Sequence, residues 1–410
     1  MEVLVERCAG LDVHKKTVCA CVRVPGENGE RDEQVRTFRT FTSGLVALAE
    51  WLAERAVTQV VMESTGVYWR PVWHVLEERF ELLLVNARHA HNVPGRKTDV
   101  ADAVWLARLA EYGLLRASFV PGAQQRRLRD LTRYRRRLTE SRTREEQRLT
   151  KVLEDAGIKL DSVASRTLTV SGRRMIEALC AGERDPEVLA DMALAKLRRK
   201  RAELQEALVG RFGDHHALMC QLHLARLDDL EASVTRLDAE IDREIEPFAL
   251  QRDLLCTIPG VAERTAQVII AEIGVDMTRF PTAGHLASWA GLCPGNNESA
   301  GKHHSGRTRP GDKWLRAALT QAAWAAARSR DTYLAAQFWR ISRRRGNNRA
   351  AVAVAHSILV AAFHMLRDNV DYHDLGGDWF SRRHDNNARQ RWLISQLEGL
   401  GHSVTLDTAS

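Results

Sequence analysis

The chain has 410 residues, 44% hydrophobic and 28% charged, a globular composition too long for one ordinary core, so two or three domains are expected. Sixty Lys plus Arg against 53 Asp plus Glu leave a formal +7, an excess whose placement decides whether it meets polyphosphate or an anionic surface. Seven cysteines with no CxxC pair argue against a zinc ribbon or a disulfide scaffold, and the start of the chain lacks a basic leader followed by an apolar run; an intracellular, soluble protein is expected. The longest apolar stretch, 350–363, is broken by His356 and reads as too short to span a bilayer.

In chain order, residues 8–24 read as two strands around a tight turn, 36–42 as a third strand and 44–56 as a helix with Leu45, Leu48 and Leu52 on one face. A buried-strand pattern at 57–65 ends in a carboxylate. A helix at 67–79, a strand at 80–86 and a helix at 98–112 capped by Thr98 follow. Strands alternating with helices predict an α/β domain over 1–118. Cys19 and Cys21 sit in the second strand, and one of them is expected to pack inward.

Beyond Pro121 the pattern turns helical. Residues 124–155 read as one long helix, with ten arginines against four acids between Arg126 and Arg148. That excess predicts phosphate contact from Arg126, Arg127, Arg133 and Arg137, although i,i+4 pairing on a solvated face is the plainer alternative. A helix is predicted at 186–212 and another at 215–247. In the latter, Leu227, Leu230, Val234, Leu237 and Ile241 form a 3-4-3-4 seam, which predicts a coiled coil and a dimerisation region over 119–249.

A last domain, 250–370, opens with the helix-hairpin-helix pattern around the IPGV turn, where Gly260 would let backbone N–H groups face a DNA phosphate. A polar loop carrying Lys302, Arg307, Arg309 and Lys313 suits phosphate contact. Helices at 313–328 and 348–366 follow, and the polar tail 371–410 is expected to be only partly ordered.

The candidate chemistry lies in four acids. Asp12 and Glu63 end apolar strands, and Asp99 and Asp102 share one face at a helix start. Taken singly each suits a cap or a solvated surface. As a set they repel one another unless a divalent cation gathers them, and hard oxygen ligands select Mg2+, with Mn2+ as the alternative. His14 follows closely, with a surface role as the default.

GLDVHK at 10–15, MESTG at 62–66 and KTDVADA at 97–103 resemble the three motifs of the DEDD transposases of bacterial insertion sequences, the IS one-ten type. IPGV at 258–261, LASWAGLCP at 286–294 and the following Ser299 resemble the C-terminal domain of the same family. The resemblance implies an α/β plus α protein: an N-terminal RuvC-like ribonuclease H fold, a helical coiled-coil middle and a mainly helical C-terminal transposase domain. It implies that Asp12, Glu63, Asp99 and Asp102 bind magnesium and that Ser299 is a nucleophile forming a covalent link to DNA. It further implies donor and target double-stranded DNA, a structured guide RNA, and a homodimer assembling to a tetramer at the bacterial nucleoid. A glycine usually follows the serine; here Ala300 stands there, then Gly301, and Ser305 is the competing nucleophile. A junction nuclease using water, or a non-catalytic nucleic-acid-binding protein, are the rival readings.

Overall fold

The computed structural model describes residues 2–26, 30–64, 66–86, 99–295, 297–299, 302–382 and 386–405. The chain divides into two compact units, 1–120 and 121–410.

In the first unit β1 (Cys8–Val13), β2 (Thr17–Pro25) and β3 (Arg31–Arg39) form an antiparallel run, and β4 (Gln59–Glu63) and β5 (Glu81–Val85) extend it in parallel from β1. The sheet order is β3-β2-β1-β4-β5. Side chains alternate between the two faces of a strand. Ala9, Leu11 and Val13 therefore pack with α1 (Thr42–Glu54) and α2 (Trp69–Leu76), through Leu45, Leu48, Leu52, Val72 and Leu76. Cys8, Val61 and Val85 face the opposite way, onto Leu106 and Ala110 of α3 (Asp99–Glu111).

Two expectations shift here. The third strand runs Arg31–Arg39 rather than 36–42, because the antiparallel register with β2 starts at Pro25↔Arg31 and α1 begins at Thr42. Cys19 and Cys21 are both buried, not one: residues two apart share a face, and both lie against Ala103 and Ala107. Thr98, the expected cap of α3, lies outside the described residues.

The second unit is built on α4 (Ala123–Asp155) and α5 (Asp214–Ile245), which lie side by side and antiparallel. Cross-links run their length: Arg127 to Glu244, Arg135 to Asp238, Arg142 to Glu231, and Glu145 to His223. Leu128, Leu138 and Leu149 of α4 are buried, as are Leu227, Leu230 and Ile241 of the predicted seam. Leu227, Leu230 and Ile241 of the seam are thus covered within the chain by the arginine-rich helix, whereas Val234 and Leu237 are half-buried.

The segment expected as one helix at 186–212 is broken. It forms Pro186–Asp191, a 3-10 stretch Ala195–Lys200 and Arg201–Ala207, with Ala195 in the left-handed region at φ +46°. A helix at Val170–Cys180, which the sequence reading passed over, joins a core with Leu149, Leu153 and Leu224.

Further helices are α6 (Ala249–Cys256), α7 (Glu263–Ile273), α8 (Ala283–Trp289), α9 (Lys313–Ala326), α10 (Tyr333–Arg345) and α11 (Asn347–Asp368). Within the polar tail, Asn386–Gly399 is helical. The apolar stretch near 350–363 is part of α11, whose 22 residues are long and apolar enough to cross a membrane; 56% of its most apolar window is buried inside the protein. The expectation that it is too short is corrected, because the helix extends beyond the apolar stretch at both ends.

Candidate active site

Strand alternation builds the acidic site. Asp12 is two residues beyond Gly10 and four beyond Cys8, so it points to the face that α3 covers. The parallel register Leu11↔Met62 brings Glu63 beside Asp12 at the same end of the sheet, on the face of Val61. Asp99 and Asp102 lie in the first turn of α3, where the helix dipole favours carboxylates.

What lets α3 come down onto β1 is Gly10. A β-carbon there would lie closer than 3.0 Å to the Ala103 carbonyl oxygen, the Ala107 amide nitrogen and the Leu106 side chain. Ala103 and Ala107, both fully buried, keep the helix side of the contact equally small.

Ligand atoms of Asp12, His14 and Asp99 lie within 4.8 Å of one another. His14 Nε2 donates to Asp12 Oδ2 at 3.0 Å and stands 3.4 Å from Asp99 Oδ1. The Asp12 side chain is 14% exposed, whereas His14 and Asp99 are 47% and 64% exposed, so one anchored carboxylate faces two accessible groups. Burial raises the Asp12 carboxyl above its ordinary range; the His14 ring opposes this, and the charges of Asp99 and Asp102 add to the rise. A carboxylate crowded by like charges gains from a cation. The carboxylates of Asp12 and Asp99, with Glu63 and Asp102 alongside and the His14 imidazole at their edge, fit a divalent metal. Glu63 and Asp102 stand outside the 4.8 Å group. His14, for which the sequence suggests a surface role, lies one residue past the end of β1, and the turn brings it back to Asp12.

The serine loop is a hairpin. β6 (Asn297–Ser299) pairs antiparallel with β7 (Lys302–Ser305), and Ser299 sits opposite Lys302. A bridge between Pro294 and Thr308 and the Gly295 N–H donated to the Arg307 carbonyl at 3.0 Å close its base. Ala300 and Gly301 lie outside the described residues, as do the side chains of Ser299, Lys302 and Ser305. Arg307, Arg309 and Lys313 are exposed around the hairpin, and the Lys313 ammonium lies 5.1 Å from the Trp314 ring.

Two expected phosphate contacts are turned inward instead. Arg133 makes a two-pronged ion pair with fully buried Glu272, at 2.8 and 2.7 Å, and reaches Asp312 at 3.2 Å. Gly260, at φ +86°, is wedged against α9: a β-carbon would lie closer than 3.0 Å to the Ala322 carbonyl and the Ala326 amide. Packing and backbone conformation account for this glycine. Arg126 donates to the Pro121 carbonyl at 3.0 Å and Arg127 pairs with Glu244 at 3.3 Å. Arg137 is exposed, with its guanidinium 5.4 Å from the Trp314 ring. At least seven of the ten arginines between 126 and 148 carry ion pairs with described residues.

An acidic cluster at strand ends of a five-stranded α/β unit, followed by a mainly helical unit, is matched by transposases. Residues 9–158 match a transposase family pattern of the DEDD type, and residues 252–340 match the transposase IS116/IS110/IS902 family, together more than half of the chain. The chain belongs to this insertion-sequence transposase family. It is 33% identical over 137 residues to an "Insertion element IS110 uncharacterized 43.6 kDa protein" of Streptomyces coelicolor, a segment that is 33% of each chain. A "Probable family 20 transposase" of Pseudomonas aeruginosa is 26% identical over 66% of this chain and 71% of its own. A "Pilin gene-inverting protein" of Moraxella lacunata is 24% identical over 88% of this chain and 95% of its own.

Proposed function

We propose that this protein is an RNA-guided transposase that cuts and rejoins DNA, using a divalent-metal site at Asp12, Glu63, Asp99 and Asp102 and Ser299 as nucleophile. The observation that carries the reading is the convergence of Asp12, His14 and Asp99 at the end of β1. The sheet order, with three antiparallel strands continued by two parallel ones and α3 across the acidic face, supports a RuvC-like ribonuclease H arrangement for residues 1–118. In this reading 119–249 is a helical assembly region, 250–370 a transposase domain with a helix-hairpin-helix, and 371–410 a tail. The partners are donor and target duplex DNA, a structured guide RNA and further copies forming a dimer and then a tetramer, in the bacterial cytoplasm at the nucleoid. No membrane takes part.

Asp12, Glu63, Asp99 and Asp102 would hold Mg2+ or Mn2+, which would supply positive charge at the scissile phosphate. His14 orients the Asp12 carboxylate through the 3.0 Å hydrogen bond. Ser299 Oγ attacks phosphorus and loses its proton. The phosphodiester P–O bond breaks, and the leaving deoxyribose oxygen takes up a proton. The hydroxyl of a second strand then attacks the phosphoserine, restores a phosphodiester and frees the serine. Bond count and charge balance across the two steps, so no external energy is required.

The test mixes full-length protein, RNA from the flanking DNA, magnesium and labelled donor and target DNA, and resolves the products on a denaturing gel. A protease-sensitive DNA adduct abolished by Ser299→Ala and by Asp12→Ala is expected. Magnesium-dependent cleavage without any adduct would replace the serine with water and make the protein a junction nuclease. An adduct that survives Ser299→Ala but not Ser305→Ala would move the nucleophile. Binding that persists under chelation, with no cleavage, would leave a non-catalytic binding protein.

A further inference from the structure

Among the described residues, positive charge without ion-pair partners gathers around the junction of α10 and α11. Residues 328–349 hold seven arginines and one acid, Asp331. Arg343, Arg344, Arg345 and Arg349 are exposed, and none makes an ion pair with a described residue. Arginines at a helix C-terminus have an ordinary explanation, since they complement the helix dipole. That explanation covers Arg343 to Arg345 at the end of α10 but fails for Arg349, which sits in the first turn of α11, where the dipole opposes a cation.

A second observation points to the ligand. Trp339 is 51% exposed, one helical turn before Arg343 on the same face of α10. A lone exposed apolar residue is commonplace on a protein surface. This indole, however, is held in a fixed pose. Its Nε1–H donates to the Ala327 carbonyl at 3.0 Å, and its ring meets Phe338 edge-on with centroids 5.3 Å apart. The neighbouring Arg340 guanidinium lies over the Phe380 ring, 4.1 Å from its centre. An anchored, open aromatic face beside unpaired guanidinium groups suits a base that is free to stack and a backbone that follows it; paired bases in a duplex keep their faces covered.

The geometry points to a binding surface for an unpaired nucleic-acid strand, with a base stacked on Trp339 and the adjoining phosphates on Arg343, Arg344, Arg345 and Arg349. RNA and DNA share this chemistry. The surface stands on charge and ring geometry, apart from the acidic site, so binding here and cleavage there succeed or fail separately.

The test uses full-length protein in chelator, where no cleavage proceeds, with short fluorescent single strands of DNA and of RNA and the matching duplex, read by anisotropy across a salt titration. Replacing Arg343, Arg344 and Arg345 by Ala together is expected to lower the slope of log K against log salt by about 2 for single strands, at about 0.7 per lost phosphate contact. Trp339→Ala is expected to weaken single-strand binding roughly 5- to 100-fold and duplex binding far less, with Trp339→Phe retaining most of the affinity. The tighter of the two strand types identifies the source. An unchanged salt slope in an arginine triple variant that melts like the wild type overturns the proposal. So does equal loss on single strand and duplex for Trp339→Ala, or no measurable binding by the wild type. Should Trp339→Ala fail to fold, the arginine variant decides alone.

Discussion

Gly10→Ala tests how the acidic site is assembled. The added methyl would stand closer than 3.0 Å to the backbone of Ala103 and Ala107, and ordinary contact begins at 3.4 Å, so α3 must retreat by more than 0.4 Å. The flanking positions give little room: Ala103, Leu106 and Ala107 are all buried, and both strands beside β1 are paired to it. Overpacking of this kind costs about 1–3 kcal/mol. The functional cost is larger than the stability cost, because Asp99 and Asp102 ride on α3 while Asp12 stays on β1. A misplacement approaching 1 Å costs about 100-fold in rate, so a loss of roughly 10- to 100-fold in magnesium-dependent DNA cleavage is expected. Cleavage is measured alongside thermal unfolding and manganese binding by calorimetry, which reports the site without DNA. Gly10→Ala protein with wild-type melting, metal affinity and cleavage would refute the close approach of α3 as the device that gathers the acids.

Three further outcomes follow from the second unit. Gly260→Ala combines a left-handed backbone at φ +86° with a clash against α9, and is expected to cost about 2–5 kcal/mol in chemical denaturation. DNA binding well below the unfolding transition should be retained; a loss of binding with unchanged stability would restore the phosphate-facing role. Glu272→Ala leaves the half-buried Arg129 and Arg133 side by side with their shared, fully buried carboxylate removed, an expected loss of about 3 kcal/mol, and urea unfolding with a change under about 1 kcal/mol would contradict it. Burial in α11 lowers the His356 pKa from its ordinary 6.5. The unfolded chain therefore takes up the proton first, and stability present above pH 6.5 declines as pH falls from there toward the folded-state value. His356→Leu should flatten that part of the profile in pH-dependent melting, and identical slopes in the two proteins would remove His356 as the cause.

The acids were legible because apolar runs ending in a carboxylate mark the two strands, and helical spacing pairs Asp99 with Asp102. Their shared face follows from alternation, but only once the register Leu11↔Met62 is known. His14 was hidden because it lies one residue past the end of β1, where strand parity is no guide until the turn is seen. The arginine-rich helix misled in the opposite way. Its charge is plain in the sequence, but Arg133 meets Glu272, 139 residues further on, and no local pattern announces such a partner. Gly260 was read as a phosphate-facing turn because the motif is local, while the α9 backbone that constrains it is contributed from more than 60 residues away.

The paired helices α4 and α5 also restrict how genes of this kind can drift in length. An α-helix turns about 100° per residue, so one residue inserted midway in α4 would rotate one half of its contacts off α5. Arg127–Glu244 at one end and Glu145–His223 toward the other could not then both persist. Insertions and deletions in functional relatives should accordingly gather in the short helices and turns between 156 and 213, where broken elements absorb a change of phase, and should spare the two long helices or strike both in matched positions.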